Sequence, residues 1–131
     1  MNTLKIILLA LTIIGTSQLT ASDCAVGYAH MQNGKYKQAY SEFRALAERG
    51  YPVYMNMMGD MHMKGQGVPE SKMIAHVWYS LSAAQENDKG IDSKNKIGKE
   101  LSREQLADSQ YFAKEYAKNY LEPYVASWSL D

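Results

Sequence analysis

"MGDMHMKGQGVPESKMIAHVWYSLSAAQEN" runs from Met58 to Asn87 and contains two apolar stretches on either side of a loop. In the second stretch Ile74, Val77, Trp78, Leu81 and Ala84 follow i, i+3, i+4, i+7 spacing, the signature of a helix with a buried face. It is apolar nearly all round, as befits a helix sandwiched between neighbours. The loop "GQGVP" holds two glycines and a proline, residues that stop helices and turn the chain. Upstream, Gly50 supplies a helix stop and Pro52 suits a first helical turn. The spacing therefore predicts a helix over 52–64, a turn, and a helix over 71–86. The stretch is a helix hairpin.

Working outward, the same pattern recurs. "AYSEFRALAERG" (Ala39–Gly50) superposes on "AHVWYSLSAAQE" (Ala75–Glu86) at a spacing of 36 residues, placing Phe43 on Tyr79. "VGYAHM" (Val26–Met31) superposes on "MGDMHM" (Met58–Met63) at 32, placing Gly27 on Gly59; the longer "GQGVP" loop accounts for the difference. These matches predict an earlier hairpin, with helices over 23–32 and 36–49. A degenerate third copy begins at "IGKEL", where Ile97-Gly98 echoes Met58-Gly59. Here "NDKG" reads as a break, followed by a weaker helix over 91–101. Ser102 with Gln105 forms a capping box that opens a last helix. Leu106, Ala113, Tyr116, Ala117 and Tyr120 share one of its faces, and Pro123 stops it. No strand-like alternation appears. The expectation is an all-α short solenoid of two and a half repeats (about 23–50, 52–87 and a partial 91–122), closed by a C-terminal capping helix. The tail 123–131 remains outside it.

These residues resemble the Sel-one-like repeat family, relatives of the tetratricopeptide repeat. That family's pattern is Leu-Gly-x-x-Tyr, a Gly-x-Gly-Val loop, then Ala-x-x-Trp-Tyr and a small pair. Met58-Gly59 stands for Leu-Gly and His62 for the tyrosine. Gly65, Gly67 and Val68 match the loop, and Ala75, Trp78, Tyr79 and Ala83 match the second helix. Gly27 and Phe43 carry the pattern in the first copy. The resemblance implies stacked hairpins, each burying its face against the next, and a role in protein–protein interaction. Family members serve in signalling, secretion, host interaction and immunity to toxins. One cysteine-rich branch is associated with β-lactam binding, but the cysteine pairs of that branch are absent here.

Physical chemistry agrees with the resemblance. A glycine within a helix costs about 1 kcal/mol relative to alanine. Its recurrence at 27, 59 and 98 suggests close approach of a neighbouring helix at each place. Methionine is also concentrated: five methionines and a histidine fall between Met55 and Met63. On a helix, Tyr54, Met55, Met57, Met58, Met61 and His62 share an arc of about 160°, the width of a buried stripe. His62-Met63 repeats His30-Met31, so the pair belongs to the repeat. Packing is the favoured reading. The alternative is a periplasmic Cu(I) binder through Met58, Met61 and His62, which sit at i, i+3, i+4 and offer soft ligands.

At the N-terminus, "MNTLKIILLALTIIG" carries one charge, Lys5, before a short apolar run and a small-residue site. This order is that of a secretory signal peptide over 1–21, cleaved after Ala21. The run is too short to span a bilayer. Asp23 before Cys24 argues against a lipoprotein. A periplasmic or secreted location follows, without membrane insertion after processing. The single Cys24 excludes an internal disulfide, and a homodimer is conceivable. Lys and Arg number 14 against 14 Asp and Glu, so no basic footprint for nucleic acid exists. No nucleophile–base constellation or phosphate loop accompanies the three histidines, His30, His62 and His76. The sequence thus points to a non-catalytic binder of another protein, with no cofactor. Tyr36 and Tyr40, taken as exposed aromatics, are the candidate partner contacts.

Overall fold

A computed structural model describes residues 21–121. Apart from its last residue the expected signal peptide lies outside them, as does the tail from Pro123 onward. Six α-helices follow in order: α1 Ala21–Gln32, α2 Tyr36–Glu48, α3 Pro52–Lys64, α4 Lys72–Ala83, α5 Asp88–Gly98 and α6 Arg103–Tyr116. A single π-helical turn, Ala117–Leu121, continues α6. No strand occurs among the described residues, and no helix of theirs is long and apolar enough to cross a membrane.

Local chemistry sets most of the boundaries. Pro52 occupies the first turn of α3, where its missing N–H costs nothing. Gly65 ends that helix in the left-handed region (φ 65°) and donates its N–H to the Met61 carbonyl, the glycine cap expected there. Ser71 caps α4, accepting from the Ile74 N–H. Ser102 and Gln105 make both hydrogen bonds of the capping box, each at 3.1 Å.

The start of α5 differs from the sequence expectation. "NDKG" does not break the chain but begins the helix, because Asn87 serves as its N-cap and accepts from the Gly90 N–H at 3.1 Å. The same Asn87 oxygen accepts from the buried Asn56 of α3 at 2.8 Å. A tertiary contact therefore fixes the cap and overrides the turn signal. The actual turn lies one step earlier, where Glu86 takes a positive φ of 58°. α5 also ends at Gly98, before the predicted Leu101.

Each helix from α1 to α5 packs against its sequence neighbour, and α6 packs on α4. α4 is the hub, with every residue from Ala75 to Ser82 buried. The main core joins Phe43, Leu46, Met55, Met58, Met61, Trp78, Leu81, Ala113 and Leu121, and a smaller cluster joins Ala75, Tyr79 and Ile97. The repeat glycines explain how the hairpins close. A Cβ on Gly27 would come within 2.6 Å of the Phe43 ring, and one on Gly59 within 2.5 Å of the Tyr79 ring. Phe43 and Tyr79 are the residues superposed by the internal repeat, so the same glycine–aromatic contact is built twice.

The third copy departs from this scheme. Gly98 is the last residue of α5, not a mid-helix position, and its hypothetical Cβ meets His76 Nε2 of α4 at 3.2 Å. α5 and α6 both lean on α4 and are not closely packed on each other. The last hairpin is thus held by its predecessor.

Candidate functional site

Between α2, α4 and α6 lies an open groove of about 550 Å³, within the usual range of ligand-binding clefts. Tyr40 and Arg44 come from α2, and Met73, Ile74, Val77 and Trp78 from α4; Phe112, Glu115 and Tyr116 of α6 continue the wall to Asn119 and Tyr120 in the π turn. His62 of α3 reaches it from beneath. The lining is mostly apolar and aromatic. Ile74, Phe112 and Tyr120 are exposed at 37, 48 and 48% respectively, so the apolar surface is available to an occupant.

Polar contacts hold the walls in place. Tyr116 packs edge-on against Trp78, with ring centroids 5.0 Å apart, and lies 4.6 Å from the Tyr120 ring. Its hydroxyl donates to Glu48 Oε1 at 2.6 Å, and Arg44 Nε donates to the same oxygen at 2.8 Å. Burial first, then the Glu48 carboxylate, raises the Tyr116 pKa. The phenol therefore stays neutral and keeps donating. The Glu48 contact raises the Arg44 pKa as well. This trio ties the last helix to α2 across the groove.

Of the two tyrosines singled out as partner contacts, the structure brings only Tyr40 to the groove. Both are half-buried and not exposed, which corrects the sequence expectation. The Tyr40 hydroxyl lies 3.2 Å from His62 Nε2, and burial raises its pKa. Tyr36 instead packs at the edge of the main core. Its carbonyl oxygen would lie 2.5 Å from a Cβ on Gly67, which has φ 76°. Gly67 is needed there both for its backbone conformation and for the close pass of α2.

The sequence reading missed Phe112 as a groove residue, although Phe112, Tyr116 and Tyr120 recur at steps of four along the last helix. That stripe was the available signal. The face expected from the sequence joins Leu106, Ala113, Tyr116, Ala117 and Tyr120, whereas Ser109, Ala113, Ala117 and Leu121 form the buried stripe.

The methionine stretch is a packed helix face. Met55, Met58 and Met61 are fully enclosed in the main core, and Met63 packs on the smaller cluster. His62 is buried, with its Nδ1 lacking a hydrogen bond. Burial holds its pKa below the usual histidine value, with the Pro69 backbone opposing. Among the described residues no group of three or more His, Cys, Asp or Glu side chains is placed to hold a metal ion. Cys24 is a half-buried free thiol at the edge of the main core.

Two serines approach His76 Nδ1: Ser80 Oγ, one turn along α4 at 3.4 Å, donates instead to the His76 carbonyl at 2.7 Å, and the shorter contact comes from α6. Ser109 Oγ lies 2.9 Å from His76 Nδ1 and donates to the Leu106 carbonyl at 2.8 Å. The serine proton is thus committed, and His76 Nδ1–H is the donor in the pair. Both residues are buried, so the contact is a strut between α4 and α6 with no access for a substrate. Burial, then the Lys94 charge, lowers the His76 pKa.

The fold is similar to that of a solved structure. The crystal structure of a protective antigen present in uropathogenic Escherichia coli strains, displaying an SLR fold, superposes with a TM-score of 0.71 at 24% identity. The match covers 81% of this chain and 24% of that one, so this chain spans about a quarter of that protein's length. No family model and no curated protein matches. The likeness shows the fold: the chain is an all-α solenoid of the Sel-one-like repeat type.

Proposed function

We propose that this chain is a non-catalytic protein–protein interaction module of the bacterial envelope, of scaffold or immunity type, and that its partner seats in the groove between α2, α4 and α6. The observation that carries the reading is the apolar groove itself, walled by Trp78, Tyr40, Tyr116, Phe112 and Tyr120 with Arg44 among them. Tyrosine, tryptophan and arginine are the residue types that dominate binding energy at protein interfaces. The ionisable groups here serve as braces: Arg44 and Tyr116 are engaged by Glu48, and His62 faces Tyr40. The envelope location rests on the leader-like N-terminus.

The test is crosslinked capture from the native exported compartment with the tagged mature chain, an unrelated tagged repeat domain serving as control. One stoichiometric protein is expected, with capture falling at least about tenfold for Ile74→Glu and Phe112→Glu at unchanged helix content. Undiminished capture by both variants removes the groove as the partner site. Absence of any partner above control removes the module reading.

A second reading has one observation in its favour, the unpartnered buried Nδ1 of His62 on the turn that carries Met58 and Met61. A Cu(I) ion held by these three would use soft, apolar-site ligands. Chelator-competition titration decides it: affinity unchanged in Met58→Leu and Met61→Leu eliminates the site.

A further inference from the structure

We infer that the groove is occupied within the chain by its own C-terminal segment, Glu122–Asp131, which acts as an internal competitor for the partner. The inference rests on the groove reading above and extends it to regulation. Three observations converge. The chain leaves the described structure at the groove: Asn119 and Tyr120 line it, and the π turn drives the next residue, Leu121, fully into the core. The exit point is therefore anchored beside the groove mouth. Next, Pro123, two residues later in the sequence, lacks the N–H needed to prolong the helix. Finally, the segment "EPYVASWSLD" carries Tyr124, Val125, Trp128 and Leu130, with charge only at Glu122 and Asp131.

The dimensions are compatible. Ten residues reach up to about 33 Å when extended, enough to run along a groove bounded by three helices. Burying aromatic side chains against Ile74, Val77 and Phe112 removes apolar surface from water on both sides. Tethering makes this contact intramolecular. A short tether gives an effective concentration of about millimolar, so a weak contact suffices to seat the segment and to set a threshold that a partner has to exceed.

The experiment uses the mature chain labelled with 5-fluorotryptophan. The chain has two tryptophans, Trp78 and Trp128, and Trp128→Phe assigns their fluorine resonances. Broadening by a soluble gadolinium chelate measures exposure. In the unmodified chain the Trp128 resonance is expected to be broadened several-fold less than free fluorotryptophan. Ile74→Glu and Phe112→Glu should each restore the free value, while Tyr111→Glu, on α6 outside the groove, should not. A Trp128 resonance as accessible as the free amino acid overturns the inference. So does protection that survives both groove substitutions, or that Tyr111→Glu removes equally. Protection lost on dilution shows exchange of segments between two copies and overturns the internal form. A free Trp128 leaves the groove's capture of a partner to be judged by its own variants, so the two readings fail separately.

Discussion

Gly59 is the residue whose replacement has the clearest consequence. An alanine Cβ there would lie 2.5 Å from the Tyr79 ring, and that ring is held by a 2.6 Å hydrogen bond from its hydroxyl to Asp60 Oδ1. The ring cannot swing away without breaking that bond. Overpacking of this kind costs about 1–3 kcal/mol, against about 1 kcal/mol of helix propensity gained from alanine. Gly59→Ala is therefore expected to lower stability by up to about 2 kcal/mol in urea denaturation, and Tyr79→Leu in the same chain should recover part of the loss. Stability equal to or above wild type in Gly59→Ala would refute the close-approach account. The histidines set a second residue-scale expectation. His62 and His76 both have pKa values below the usual 6.5 when folded, chiefly through burial. The unfolded chain thus binds more protons below that value, and stability is fully present above about pH 6.5 and declines as pH falls through it. The urea midpoint should be lower at pH 5 than at pH 7.5, with a shallower dependence in His76→Gln. This window lies above the 4.5 reference value of Glu100, whose pairing with Lys72 lowers its pKa.

Among the elements, α5 and α6 depend most on their caps, because neither packs closely on the other. Ser102→Ala removes one half of the capping box and should cost about 1 kcal/mol, with the loss concentrated in the amides of α6. Asn87→Ala has a wider effect. It uncaps α5 and also takes the hydrogen-bond partner from the buried Asn56 side chain. Leaving a buried amide unpaired adds about 1–3 kcal/mol, so the Asn87 variant should be the more destabilised of the two. Denaturation of both side by side checks the order, and the reverse ranking would contradict the shared-cap geometry.

At the scale of the whole molecule, stability should follow the packing of the array. α4 touches α3, α5 and α6 and buries eight consecutive residues, while α1 lies at one end and α5 has only two buried residues. Native-state hydrogen exchange is expected to be slowest in α4 and faster in α1 and α5, as local opening tracks local burial. Uniform protection across the helices would argue against nearest-neighbour stabilisation. The groove belongs to this scale as well. Its walls combine residues from Tyr40 to Tyr120, and it exists only once α6 has folded back onto α4 and been braced to α2 through Tyr116 and Glu48.

The helices themselves were legible from the residues, because their determinants are local. Ser71, Ser102, Gly65 and Pro52 cap or open helices through contacts within one turn, and apolar spacing names the buried faces. The internal repeat also marked Gly27 and Gly59 as places of close approach, since two copies of one solution leave the same marks at the same offsets; that Phe43 and Tyr79 make the contact came from the packing. By contrast, the start of α5 depended on Asn56, 31 residues from Asn87, and the departure of the third hairpin depended on α4 attracting both α5 and α6. The groove, the His76–Ser109 strut and the Tyr116–Glu48 brace likewise join residues far apart in sequence. Local spacing carries no record of which distant side chain fills a hydrogen bond or faces a cleft. Only the stacking of the helices determined those partners.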